Sequence, residues 1–119
     1  MKTSDYKELR VWQQSMDLVT DIYKLMSHLP IEERFGLSDQ IRRAAVSIPS
    51  NIAEGQARGS NKEFCHFLSI SRGSLAELET QLLLTVRLGF LQDQQAADIL
   101  IRLKDIDKMI GGLMRYLKD

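Results

Sequence analysis

Arg43, Ser47, Asn51, Glu54 and Arg58 carry the most chemical potential of any row in this chain. They recur at intervals of three and four residues, which places them along one side of a helix. The row offers a hydroxyl, an amide, a carboxylate and two guanidinium groups. That set suits recognition rather than bond making. Arginine forks match carboxylates and phosphates, and Asn51 and Glu54 are spaced to bond each other. A solvated helix face is ordinarily Lys and Glu, whereas this one has small neighbours, Ala44, Ala53 and Gly55, and a proline, Pro49, within the pattern. Asn, Ser and Gly are mediocre helix formers, so the row is not tuned for helicity. Two readings remain open: a specific interface or binding face, and a plain solvent face.

The other reactive side chains do not assemble into a catalytic set. The histidines are His28 and His66, and no H-x-x-x-H pair exists. Both are expected to be buried or boundary side chains. Cys65 and His66 are adjacent, so on a helix they point about 100° apart, poor geometry for a nucleophile and its base. Glu77 and Glu79 are two residues apart and share no helix face. There is no glycine-rich phosphate loop. Gly111-Gly112 falls inside a helical pattern and marks close helix approach, as do Gly73 and Ser74, which admit a helix of the same chain or of a neighbouring subunit. The expectation is a protein that is not an enzyme and uses no metal and no cofactor.

Composition points the same way. Lys plus Arg equals Asp plus Glu, at 16 each, with 44% hydrophobic and 27% charged residues. A dedicated nucleic-acid binder usually shows a net positive domain, because phosphate neutralisation drives its affinity. Here the charge is mixed throughout. One cysteine excludes an intrachain disulfide. The opening MKTSDYKELR lacks the apolar core of a signal peptide, and no apolar run approaches the roughly 20 residues that span a bilayer. The expected compartment is the cytoplasm, with no membrane partner.

These residues need helices to position them. Val11, Ser15, Leu18, Ile22, Leu25 or Met26, and Leu29 form one apolar stripe, stopped by Pro30. Ile41, Ala45, Ile48 and Ile52 form a second, opposite the polar row, and Pro49 predicts a kink near residues 45–49. Ser60 and Glu63 make a capping box. Phe64, Leu68, Ser71, Leu75, Leu78, Leu82 and Thr85 then alternate by fours and threes up to Gly89, which suits the position just past a helix end. Ile99, Leu103, Ile106, Ile110, Leu113 and Leu117 repeat the pattern. The spacing predicts helices over 6–28, 37–58, 61–88 and 93–117, with one turn of helix in the Ile31–Gly36 connection. Heptad helices joined by tight turns lie antiparallel. The fold class is therefore all-α, an antiparallel up-down-up-down four-helix bundle, as a single domain over 1–119. Trp12 either covers the bundle end or faces a partner subunit.

Several blocks carry a resemblance. LRVWQQSMDLVTDIYKL, ERFGL, QIRRAAVSIPSNIAEGQAR, the S-x-x-E-F opening at Ser60, GSLAELETQL and LGFL together resemble the small bacterial proteins encoded by 23S ribosomal RNA intervening sequences. The likeness runs over essentially the whole chain, and SIPSNIAEG is its most specific block. That family is similar to the accessory variability determinant of diversity-generating retroelements, a pentameric bundle that works with a reverse transcriptase and nucleic acid. The resemblance implies a homopentamer of four-helix bundles with the SIPSNIAEG helix at a constrained surface. The retroelement relatives are distinctly basic; this chain is neutral.

The function expected from these observations is an oligomeric interaction scaffold, partnered with itself and with RNA or an RNA-handling protein. The alternative is direct RNA or DNA binding through Arg42, Arg43 and Arg58 on the assembled surface.

Overall fold

The computed structural model of the chain describes residues 5–118. Its α-helices are α1 (Arg10–Met26), α2 (Leu37–Ala57), α3 (Asn61–Arg87) and α4 (Asp93–Lys118), with 3-10 turns at Tyr6–Glu8 and Ile31–Glu33. There is no strand among the described residues. Each helix packs on two neighbours in the order α1, α2, α3, α4 and back to α1, and the backbones of the diagonal pairs stand further apart. The pairings run in opposite senses. Ser47 of α2 meets Ser74 of α3, while Gly55, further along α2, meets Phe64, earlier on α3. Likewise Asn61, Cys65 and Arg72 of α3 meet Leu117, Met114 and Asp107 of α4. The result is the expected all-α four-helix bundle, 46 Å along its longest axis.

The apolar stripes supply the core. Leu18, Ile22, Ile41, Ile48, Ile52, Leu68, Leu78, Leu82, Ile106 and Ile110 are fully buried. Each such side chain stabilises by about 1.5–3 kcal/mol relative to exposure. The stripe on α4 fades at its end, where Leu113 and Leu117 are only half-buried.

The helix ends follow local chemistry. Ser60 Oγ accepts from the Glu63 amide at 3.1 Å, one half of the capping box. The Glu63 carboxylate turns instead toward Arg58, 3.8 Å away. At the far end of α3, Gly89 has φ +83°, the left-handed region that favours glycine. The Phe90 and Gly89 amides donate back to the Thr85 and Val86 carbonyls, the paired bonds of a Schellman turn. Gln95 caps the opposite side of this turn by accepting from the Gln92 amide at 2.8 Å.

The first helix is shorter than the periodicity predicts. Asp5 caps the 3-10 turn at Tyr6–Glu8, and Leu9 is extended (φ −74°, ψ 125°), so α1 starts only at Arg10. This break folds Tyr6 back onto Trp12, edge to face with ring centroids 5.4 Å apart. At Pro49 the helix does not end: α2 continues through to Ala57.

Candidate functional site

The polar row on α2 divides into a middle that faces α3 and ends that face solvent. In the middle, Ser47 Oγ and Ser74 Oγ are 2.8 Å apart. Asn51 Nδ2 donates to the Ser47 carbonyl at 2.8 Å and to Ser47 Oγ at 2.9 Å. With its oxygen accepting from Asn51, the Ser47 hydroxyl has its proton free for Ser74. One turn along, the buried Ser71 hydroxyl donates across the seam to the Ile48 carbonyl at 2.9 Å. Bonds of this kind net about 0.5–1.5 kcal/mol each. Their larger effect is on register, because a slide of α2 along α3 leaves several polar groups buried and unpaired.

The seam is also tight. A Cβ placed on Gly55 would lie 2.6 Å from Phe67 Cβ and 3.3 Å from the Phe64 carbonyl oxygen. Gly55 therefore lets the α2 backbone come close to α3. Ser74 admits a helix of the same chain, as one of the two sequence readings held. Gly73 beside it points into open space.

At the ends of the row the arginines are paired within the chain. Arg43 Nε donates to Asp39 at 3.0 Å. Arg58 bonds Glu54 at 2.9 Å and lies over the Phe67 ring at 4.9 Å. Glu54 thus takes Arg58, and the Asn51 amide is directed to Ser47. Arg42 donates to the Arg34 carbonyl at 3.2 Å and covers Tyr23 at 5.7 Å. Of the three arginines of the nucleic-acid reading, Arg42 and Arg43 lie on α2 and Arg58 caps its end, and Arg43 and Arg58 are matched by neighbouring carboxylates.

The sequence reading missed three polar features. Arg72 forks onto Asp107 at 2.8 and 3.2 Å, tying α3 to α4. The hydrogen bond raises the Arg72 pKa and holds the Asp107 carboxyl below its ordinary value, against a smaller effect of burial. This guanidinium lies 3.4 Å from where a Gly111 Cβ would sit, so Gly111 makes room for Arg72. Arg102 bridges Asp21 of α1 at 2.8 Å and Asp98 at 3.2 Å; burial opposes its charge, and the two carboxylates outweigh that and raise its pKa. Gln81 is the third: its Oε1 is buried without a hydrogen-bond partner. It stands two helical turns beyond Ser74, a seven-residue spacing visible in the sequence.

The histidines are both exposed, contrary to the buried or boundary setting expected: His66 falls on an outward position of α3, and His28 lies in the turn past the end of α1. His66 rests edge-on against Phe67, and Cys65 turns toward the Met114 carbonyl at 3.8 Å. The two therefore do not meet as nucleophile and base. Glu63 and His66 have Glu-x-x-His spacing, yet Glu63 faces Arg58 and His66 faces solvent. Among the described residues no group of three or more His, Cys, Asp or Glu is placed to hold a metal ion. None of the described helices is long and apolar enough to cross a membrane.

Outside the row, an open groove runs between α1 and α2, lined by Tyr6, Trp12, Met16, Val19, Val46, Pro49, Ser50 and Ala53. Its volume is about 350 Å³. Trp12 is half-buried here, packed against the core on one side and lining the groove on the other.

Fold and site define a small all-α bundle with a polar α2–α3 seam and an apolar outer groove. The chain belongs to the 23S rRNA-intervening sequence protein family, whose description matches residues 7–112. It is similar to a solved protein of unknown function from the S23 ribosomal protein family of Bacteroides thetaiotaomicron, with 28% identity and a TM-score of 0.81. That match covers 87% of this chain and 97% of the other. No curated protein matches the chain.

Proposed function

We propose that this protein is a non-enzymatic, cytoplasmic scaffold that assembles with copies of itself and serves RNA or an RNA-handling partner. The observation that carries the reading is the apolar groove between α1 and α2. Met16 and Val46 are 43% and 39% exposed there, beside Trp12 and Pro49. Scattered exposed apolar residues are ordinary, but a contiguous set marks an interaction surface. Large aromatics such as Trp12 anchor interfaces. The resemblance to the retroelement accessory protein favours five copies.

The RNA association rests on the family, whose description ties it to 23S rRNA intervening sequences. Local charge pairing favours a scaffold over direct nucleic-acid binding, since Asp39 and Glu54 already occupy Arg43 and Arg58. Sedimentation velocity across micromolar concentrations tests self-assembly. The expected result is a single species several times the 13.6 kDa chain mass; a monomer throughout rejects the reading.

A further inference from the structure

We propose that the end of the molecule where α1 connects to α2 binds unpaired RNA, with Tyr23 and Phe35 as stacking faces and Arg34 and Arg42 as phosphate contacts. The inference rests on the RNA reading above and adds the surface and the strand state.

Four side chains are joined there by contact. Arg42 of α2 lies over the Tyr23 ring of α1, 5.7 Å from its centroid, and donates to the Arg34 carbonyl at 3.2 Å. The Arg34 guanidinium lies over the Phe35 ring at 4.9 Å. Both distances are within the roughly 6 Å reach of a cation–π contact. Phe35 is 84% exposed and Tyr23 50%. Phe35 stands in the turn that leads into α2, so the helical stripes give it no place in the core. An arginine on one face of so exposed a ring leaves the other face open.

These two arginines differ from those of the α2 row. Asp39 and Glu54 neutralise Arg43 and Arg58, whereas Arg34 and Arg42 are in no ion pair among the described residues. Glu32 and Glu33 precede them in the chain, and Glu33 turns its carboxylate to the Leu37 amide at 3.3 Å. With those acids near, charge alone gathers little nucleic acid, and the rings must supply most of the affinity. Stacking does not depend on net charge, so a neutral chain can hold unpaired bases where it would release a duplex.

A cleft adjoins the aromatic pair. It lies between Tyr23 and α2, lined also by Asp39, Arg42, Arg43, Val46 and Ser47, with a volume of about 440 Å³. Small-ligand clefts run roughly 300–1,000 Å³, so one splayed-out base has room beside Tyr23. Unpaired nucleotides are the occupant that uses every part of this surface. Their bases stack on aromatic faces and guanidinium planes, and their phosphates meet the arginines. A duplex keeps its base faces inside, and an acidic protein segment would use the arginines and leave the rings bare.

Fluorescence anisotropy with the full chain and a labelled, unpaired RNA of about 12 nucleotides tests this, beside a hairpin of the same strand length and the matching DNA strand. The single strand should bind more tightly than the hairpin. Phe35→Ala should weaken it about fivefold or more, and Phe35→Trp, which keeps a ring, should retain binding. Arg34→Gln and Arg42→Gln should each lower the slope of log affinity against log salt by about 0.7. Arg34 and Phe35 are exposed, so their variants should keep the helical circular dichroism of the unaltered chain. Lys108→Gln, the same charge change at an exposed position of α4, should leave binding as it is. Equal binding of hairpin and single strand overturns the proposal. So does full affinity in Phe35→Ala, or loss in Arg58→Gln with Phe35→Ala unaffected. Tighter binding of the DNA strand overturns RNA as the occupant. An unaltered chain that binds no RNA even at low salt rejects direct RNA contact altogether, a separately recognisable result that leaves self-assembly standing.

Discussion

Gly55→Ala sets two opposing effects against each other, and the structure decides between them. In an open helix position, alanine for glycine stabilises by up to about 1 kcal/mol through helix propensity. At Gly55 the added methyl would sit 2.6 Å from Phe67 Cβ, 3.2 Å from Phe64 Cδ1 and 3.3 Å from the Phe64 carbonyl oxygen. Ordinary carbon contacts lie near 3.5–4.0 Å, so α2 and α3 must part by about 1 Å at this point. Phe67 Cβ and the Phe64 carbonyl are not flexible ends and cannot swing away. A parting transmitted along the helices would also weaken the Ser71–Ile48 and Ser47–Ser74 bonds two turns away, now 2.9 and 2.8 Å. Overpacking costs about 1–3 kcal/mol, and weakening those buried bonds adds roughly 1 kcal/mol. After subtracting the propensity gain, a net loss of about 2 kcal/mol is expected. For a domain of this size, that lowers Tm by roughly 8 °C. Gly73→Ala is the internal control, since nothing lies within 4 Å of its added methyl. It should raise stability by up to about 1 kcal/mol. Thermal and urea melts followed by circular dichroism, at one fixed protein concentration, read both variants. Gly55→Ala as stable as the unaltered chain would refute the close-approach reasoning.

Leu78 is fully buried, so Leu78→Ala should cost about 2–5 kcal/mol, measured by urea denaturation. The folded-state pKa of Asp107 lies below its unfolded value, chiefly through the Arg72 hydrogen bond. Its contribution is therefore present above the unfolded carboxylate pKa and is lost as pH falls through the folded one. Asp107→Asn should reduce stability near neutrality by less than about 1 kcal/mol, given the exposure of the pair, and the gap should close in an acid titration; a constant gap contradicts the assignment. Titrations with single- and double-stranded RNA and DNA at two salt concentrations should show weak binding that falls steeply as salt rises. Tight, salt-insensitive binding would contradict the local neutralisation of Arg43 and Arg58.

The sequence by itself determined the four helices, their stripes and most of their ends. Those features depend on residues within a turn or two of each other. Leu75, Leu78 and Leu82 share a face by spacing alone, Ser60 caps its own helix, and Gly89 relieves the left-handed turn that closes α3. The early break at Leu9 was not legible, because a local cap at Asp5 and an aromatic contact between Tyr6 and Trp12 redirect the chain before the apolar stripe begins at Val11. The polar row was legible as unusual, but its bonds were not. Whether Asn51 turns to Glu54 or to Ser47 depends on where Ser74 arrives from another helix. That position is set by the rotation and axial register of α2 against α3, and the register follows from how Gly55 nests against Phe64 and Phe67. The same holds for Arg72 on Asp107 and Arg102 on Asp21, partners 35 and 81 residues apart. Local periodicity fixes which face of a helix is buried; only packing fixes which atom on the facing helix each polar group meets.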